Sequence, residues 1–506
     1  MTPAANGSTF QRVNSQPENP FAKFIPDQSI AIVPEFTLES GATLYNVPVA
    51  YKTYGSLSPA RDNAMVICHA LTGSADAGDW WGPLLGGAGK AFDISRFFVV
   101  CINSLGSPYG SASPVTCKDG DSTQEHYGPE FPLTTIRDDV NIFKILLDDL
   151  GVKQIAAVVG GSMGGMLVLE FAYFGKDYVR SIVAIATSPR YSAWGISWGE
   201  AQRQSIYSDP KYEDGYYTFS DPPSTGLAAA RMSALLTYRS RDSFESRFGR
   251  NIPDPSRHQN INGAARPLTP SNEHFAIHND GHKLAGSPRP SRINSQGDLT
   301  SSIDSLRSIP PSTTPPTIFD PQFSGTTPLV VDTPPPSASS RKRTPTYFSA
   351  QSYLRYQGQK FIKRFDANCY IAITRKLDTH DVSRGRISQT GPEDPIAAAL
   401  GMIEQPTLVL GIESDGLFTF AEQRLLAAHI PHATLQTIDS PEGHDAFLLE
   451  FEQVNRFVLE FERRVLPDIM AREAVSSTDS SLQDGELGVT KSSTFGEAEV
   501  EDITAW

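Results

Sequence analysis

Ile155-Ala156-Ala157-Val158-Val159-Gly160-Gly161-Ser162-Met163-Gly164-Gly165-Met166-Leu167-Val168-Leu169 decides the fold. Its first five residues are apolar throughout and β-rich, and the residues after Gly165 continue apolar at helical length. The span therefore reads as a buried strand, a glycine-rich turn and a buried helix. A G-x-S-x-G turn in that setting is a nucleophile elbow. The glycines permit a tight, strained reversal that lifts the serine hydroxyl above the carboxyl end of the strand. The helix that begins beside Ser162 aims its N-terminal N–H groups and positive dipole end at any developing negative charge.

Working outward, the same pattern recurs. Glu35–Gly55 forms two alternating runs around Gly41, a β-hairpin. Short apolar strands follow at 64–68 and 97–102, then a helix over 135–150 with Ile136, Val140, Phe143 and Leu147 on one face. A helix from about Met163 to Val179 leads to a strand at 182–186. The rhythm stops at Pro189 and resumes after Pro406 with strand 407–410, helix 421–428, strand 434–438 and a closing helix over about 446–465. Strands apolar on both faces that alternate with helices make a mostly parallel sheet flanked by helices, an α/β fold. The interval 190–400 is an insertion with helical ends, at 227–236 and 350–378. The resulting division is a flexible tail over 1–30, an α/β core over 31–189 and 401–470, a helical lid over 190–400, and an acidic flexible tail over 471–506.

Composition supports this division. The chain has 506 residues with 39% apolar content, below the roughly 45–50% of ordinary globular chains. Of its 38 prolines, 16 fall between Pro253 and Pro345, so the Pro/Ser-rich stretch 251–345 is expected to be disordered within the lid. A net charge of −14 argues against nucleic acid and anionic membranes as partners. The basic trio Arg341-Lys342-Arg343 reads as a solvated part of that stretch. No segment approaches membrane-spanning length, and Met1–Phe24 lacks the apolar run of a signal peptide. Four cysteines without a C-x-x-C pair make neither a disulfide framework nor a zinc site. These features predict a soluble, cytoplasmic protein with no metal.

A serine is a weak nucleophile until a base, oriented by a carboxylate, takes its proton. The α/β-hydrolase order is serine, acid, histidine. Asp415 follows strand 407–410 and His444 follows strand 434–438, so both fall at carboxyl ends of successive strands, where sites of parallel sheets collect. Glu413 and Asp439 are the alternative acids. His444 is the histidine that follows the last strand; His69, His126 and His258 read as loop or surface residues. Oxyanion donors come from the backbone N–H of Met163, after the nucleophile, and of Leu71, in the loop after strand 64–68.

Beyond a general hydrolase, eight segments resemble the homoserine O-acetyltransferase family, most of all its fungal members. They are 69–74 (HALTGS), 103–111 (NSLGSPYGS), 127–132 (YGPEFP), 160–165 (GGSMGG), 230–239 (ARMSALLTYR), 365–370 (FDANCY), 414–418 (SDGLF) and 443–447 (GHDAF). The resemblance implies an α/β-hydrolase-fold acyltransferase without a permanently bound cofactor. Ser162 would take acetyl from acetyl-CoA, and the hydroxyl of L-homoserine would then attack the acetyl-serine in a ping-pong reaction of methionine biosynthesis. His444 would act as base then acid, with Asp415 holding its tautomer. Arg231 would meet the homoserine carboxylate, Tyr238 would add a hydroxyl contact, and Asp445 would pair with the ammonium. A homodimer built through the lid is also implied. Competing expectations are a serine O-acetyl- or O-succinyltransferase or another alcohol acetyltransferase, a plain esterase, and a non-catalytic binding protein; the last would lack one of Ser162, Asp415 or His444.

Overall fold

The computed structural model describes residues 10–252, 347–388 and 391–474, with isolated positions at 274, 277, 278, 280 and 281. Eleven strands are present among them: β1 Gln11–Val13, β2 Ser29–Thr37, β3 Thr43–Tyr54, β4 Ala64–Cys68, β5 Leu85–Gly86, β6 Phe92–Asp93, β7 Phe98–Ile102, β8 Ile155–Gly161, β9 Ile182–Ile185, β10 Thr407–Gly411 and β11 Ala433–Thr437. Nine form one sheet in the order β1-β2-β3-β7-β4-β8-β9-β10-β11, and β5 pairs with β6 apart from it. From β7 to β11 every pairing is parallel, and β1, β2, β3 and β7 are joined antiparallel. This is the α/β-hydrolase arrangement.

The unbroken apolar runs are explained by two cores. Every residue of β4, β8, β9 and β10 is buried. Because side chains alternate along a strand, Val66, Val100, Val158, Ile182 and Val409 enter one core with Val140, Phe143 and Leu147 of helix Ile136–Asp149. Their neighbours Met65, Val99, Val159, Val183 and Leu408 enter the other with Val454, Val458 and Phe461 of helix Phe451–Val465. The first of these helices starts at a capping box, Thr135 with Asp138.

The insertion supplies helices Ala193–Tyr207, Ser224–Tyr238, Arg241–Arg247, Ser349–Phe361 and Ala367–Asp378. Ser224–Tyr238 packs against both Ala193–Tyr207 and Ser349–Phe361. The chain divides into two compact units, 1–251 with 349–506, and 252–348. Of the second, only isolated positions are described, so the expectation of disorder over 251–345 lies outside the described residues, as do 1–9 and 475–506.

Several boundaries differ from the sequence reading. The N-terminal stretch is packed from Phe10: β1 pairs with β2, and the side chains of Gln16 and Asn19 are buried against the carbonyls of Gly110 and Pro108. The helix after Ser162 ends at Ala172, because Gly175 turns the chain at φ +89° and Val179 already bridges Ile155. The apolar spacing over 350–378 is two helices, separated where Asp366 caps the second by accepting from the Cys369 N–H. The closing helix is preceded by a separate 3-10 turn, Gly443–Leu448, which carries His444. The acidic tail begins with an anchored residue, Arg472, whose guanidinium pairs with Asp62 at 2.6 Å.

Candidate active site

Strand β8 ends at Gly161, and Ser162 takes φ 58°, ψ −125°, a conformation that costs an L-residue energy and needs enforcement by its surroundings. The enforcement is visible. The Ser162 N–H donates to the Ile185 carbonyl at 3.0 Å, and its own carbonyl accepts from the Thr187 hydroxyl at 2.8 Å. The glycines are required by contact: a Cβ at Gly160 would lie 2.5 Å from the Gly164 carbonyl oxygen, and one at Gly164 would lie 2.1 Å from that of Cys68.

The loops after β10 and β11 meet beside this elbow. Asp415 accepts from the Leu417 and Phe418 N–H groups through Oδ1, at 2.8 and 2.9 Å, while its Oδ2 stands 2.7 Å from His444 Nδ1. Ser414 ties the loops together, donating to the Ser440 carbonyl and accepting from the Gly443 N–H. The His444 ring sits among Phe418, Phe447 and Tyr238 at centroid distances of 5.2, 5.5 and 6.2 Å. Glu413 and Asp439, the other candidate acids, are exposed.

Ser162, His444, Leu71, Tyr238 and Asp445 share one cleft with Trp198, Gln202, Thr374, Leu377 and Phe418. Its wall is thus part elbow, part catalytic loop and part lid. Met163 begins the helix after Ser162 with its side chain fully buried. No hydrogen bond among the described residues occupies the N–H of Leu71 or of Met163, which leaves both as donors for an oxyanion. Arg231 and Tyr238 lie on the same helix, as their spacing suggests, but Arg231 is not on the cleft wall. It is buried, with its guanidinium over the rings of Phe361 (4.9 Å) and Tyr238 (5.5 Å). Asp445 is 3.0 Å from Arg239 Nε.

His69 departs from the expectation of a loop or surface residue. It is wholly buried; Nε2 accepts from the Ser104 N–H at 3.0 Å, so Nδ1 carries the proton and donates to the Ala70 carbonyl at 2.8 Å. Burial pushes its pKa down to about 4, so it stays neutral and pins the Leu71 loop. Arg364, from the lid, holds the same loop by donating to the Thr72 carbonyl at 3.3 Å. His126 is half-buried, and His258 lies outside the described residues. No local spacing marks His69 or Arg364, because Ser104, which holds the one, and Thr72, which the other holds, are distant in sequence. Among the described residues, no cluster of three or more His, Cys, Asp or Glu side chains is placed to hold a metal, and no helix is long and apolar enough to cross a membrane.

Known proteins resemble the chain at two levels. A family profile described as alpha/beta hydrolase fold matches residues 63–276. A homoserine O-acetyltransferase from Emericella nidulans is 68% identical over 506 residues, covering 100% of both chains. The chain belongs to the homoserine O-acetyltransferase family. A member from Saccharomyces cerevisiae is 52% identical over 493 residues, 96% of each chain. Membership makes the protein an acyltransferase enzyme and accounts for the elbow on an α/β-hydrolase frame. Among solved structures, homoserine O-acetyltransferase from Bacillus anthracis superposes with a TM-score of 0.61 at 19% identity, covering 88% of this chain and 98% of that one. Esterase E22 reaches 0.61 at 21%, covering 86% and 99%. At those identities the likeness is one of fold.

Proposed function

We propose that the protein transfers an acetyl group from acetyl-CoA to the hydroxyl of L-homoserine, by a ping-pong reaction through acetyl-Ser162. The observation that carries this reading is the His444–Asp415 pair, held at 2.7 Å in the cleft that Ser162 shares with Tyr238 and Asp445. Ser162 Oγ attacks the thioester carbonyl as His444 Nε2 takes its proton. The oxyanion meets the N–H groups of Leu71 and Met163. The C–S bond breaks, and the leaving thiolate takes the proton from His444. In the second half, homoserine's hydroxyl gives its proton to His444 and attacks the acetyl-serine. Collapse releases O-acetyl-L-homoserine, and the proton returns to Ser162. Asp445 receives the acceptor's ammonium, Tyr238 adds a hydroxyl contact, and Arg231, buried behind Tyr238 rather than on the cleft wall, attracts the carboxylate through its charge. The product would enter the methionine branch, and the protein would work in the cytoplasm as a homodimer paired through the lid.

Free thiol released from acetyl-CoA, recorded with homoserine, with serine and with neither, tests the proposal. The expected result is sustained release that requires homoserine, with O-acetylhomoserine identified by mass. Release at the same rate without an acceptor would make the protein an esterase, and a preference for serine would reassign the acceptor.

A further inference from the structure

The lid helix that carries Arg231 and Tyr238 ends there, and Arg239 leaves it in extended conformation, φ −102°, ψ 144°. Its side chain is only 5% exposed and lies between two carboxylates of the histidine loop. Nη1 donates to Glu442 Oε2 at 2.6 Å, and Nε stands 3.0 Å from Asp445 Oδ2. Glu442 is itself gripped by the lid: it accepts from the Ser243 hydroxyl at 2.6 Å and from Arg247 Nη2 and Nε at 2.5 and 3.0 Å. The backbones also meet. The Ser240 N–H donates to the Glu442 carbonyl at 3.3 Å, and a Cβ at Gly443 would lie 2.4 Å from the Ser240 nitrogen. The lid is thus fastened to the segment bearing His444 and Asp445 by a cluster that the triad does not use.

We propose that Arg239 is a positioning residue that sets Asp445 for the ammonium group of the amino-acid acceptor, and that Glu442 is the counter-charge that keeps Arg239 from neutralising Asp445. This rests on the reading of Asp445 given under Proposed function. A carboxylate this buried needs a nearby cation to stay ionised. A guanidinium devoted wholly to Asp445 would cancel its field and leave little attraction for a third charge. Here the Nη1 edge is spent on Glu442, so Arg239 is shared. The cation also fixes the carboxylate's rotamer on the cleft wall.

The test is steady-state kinetics of the full-length enzyme and its Arg239→Met, Arg239→Lys and Glu442→Gln variants. Two acceptors are compared: homoserine, and γ-hydroxybutyrate, which has the hydroxyl and carboxylate but no amine. Arg239→Met is expected to raise the homoserine KM by about tenfold or more while kcat falls by less than about threefold, the signature of lost acceptor binding rather than lost chemistry. Its kcat/KM for γ-hydroxybutyrate should stay within about twofold of the parent, since uniform binding of the rest of the acceptor is untouched. Arg239→Lys should recover part of the loss, and Glu442→Gln should raise the homoserine KM by a smaller factor. Equal losses with both acceptors, or an unchanged homoserine KM, would reduce the cluster to a structural brace and overturn the proposal. If Arg239→Met does not fold, Arg239→Lys and Glu442→Gln carry the same comparison. A parent enzyme with no homoserine-dependent thiol release would instead refute the proposed function.

Discussion

Asp415 uses its two oxygens differently, and that difference predicts what an isosteric change does. Oδ1 accepts from two backbone N–H groups, and Oδ2 faces His444 Nδ1. In Asp415→Asn the amide oxygen must take the Oδ1 position, because only an acceptor satisfies Leu417 and Phe418. The NH2 group then points at Nδ1 and forces the ring proton onto Nε2, where it faces the serine and cannot accept its proton. The fold should be unaffected, while kcat falls by about three to four orders of magnitude. Single-turnover thiol release measures it, and a loss of less than about tenfold would contradict the tautomer argument. Ser162→Ala should abolish acylation outright, visible as the absence of an acetyl adduct by intact mass. An adduct still forming at the parent rate would move the nucleophile elsewhere. Ser162 was legible because the motif and its strand–helix context are local. Asp415 was one of three candidate acids until burial separated it from exposed Glu413 and Asp439. The Arg239–Glu442 contact, 203 residues apart in sequence, leaves no trace in any window.

Between elements, the lid and the frame are joined through a fully buried ion pair, Lys376 of helix Ala367–Asp378 with Asp139 of helix Ile136–Asp149. Both also hold the backbone of Leu105: Asp139 accepts its N–H at 2.9 Å, and Lys376 donates to its carbonyl at 2.7 Å. Burial raises the Asp139 pKa and lowers that of Lys376 even against their mutual attraction, so desolvation outweighs pairing. Removing one partner therefore strands a charge: Lys376→Met should cost about 3–5 kcal/mol in urea unfolding. Asp139→Asn with Lys376→Gln keeps both Leu105 bonds and removes both charges, and should recover most of that loss. A single variant as stable as the parent would show that no charge is stranded, and a double variant worse than the single would show that the charges themselves hold the lid. The elements that sequence patterning located, β4, β8, β9 and β10, are those buried on both faces, where hydrophobicity alone specifies the state. The ones it missed are fixed from a distance. The polar Gln11-Arg12-Val13 becomes a strand because Asp149 binds Arg12 and the Phe10 N–H. The break before helix Ala367–Asp378 interrupts an apolar spacing that runs on unchanged, and only the cap at Asp366 reveals it.

Two features govern the stability of the body as a unit. Glu462 is completely buried on helix Phe451–Val465, and burial, followed by the nearby Asp93, raises its pKa well above the ordinary value. The folded state therefore holds a proton that the unfolded chain releases. No penalty exists while both states are protonated, and stability falls as pH rises above the ordinary carboxylate range. Glu462→Gln should flatten that fall, and thermal midpoints of the two proteins recorded from about pH 5 to 9, a window above the unfolded-state carboxylate titration, check it; parallel profiles would mean that Glu462 does not titrate with folding. The second feature is the long insertion. Its two ends are already joined in the body, since the Ser349 N–H donates to the Asn251 carbonyl at 2.8 Å. The Pro/Ser-rich composition of 251–345 predicts that this stretch adds only chain-closure entropy between those two ends. Loop closure costs about 0.6 kcal/mol per doubling of length, so replacing 253–346 by about six Gly/Ser residues is some four halvings, or about 2 kcal/mol in favour of the folded state. The shortened enzyme should fold, melt at or a few degrees above the parent, and keep kcat/KM for homoserine within about twofold, because no described residue of the cleft comes from that stretch. An insoluble product, or a soluble one with a raised homoserine KM, would show that the insertion braces the lid against the site.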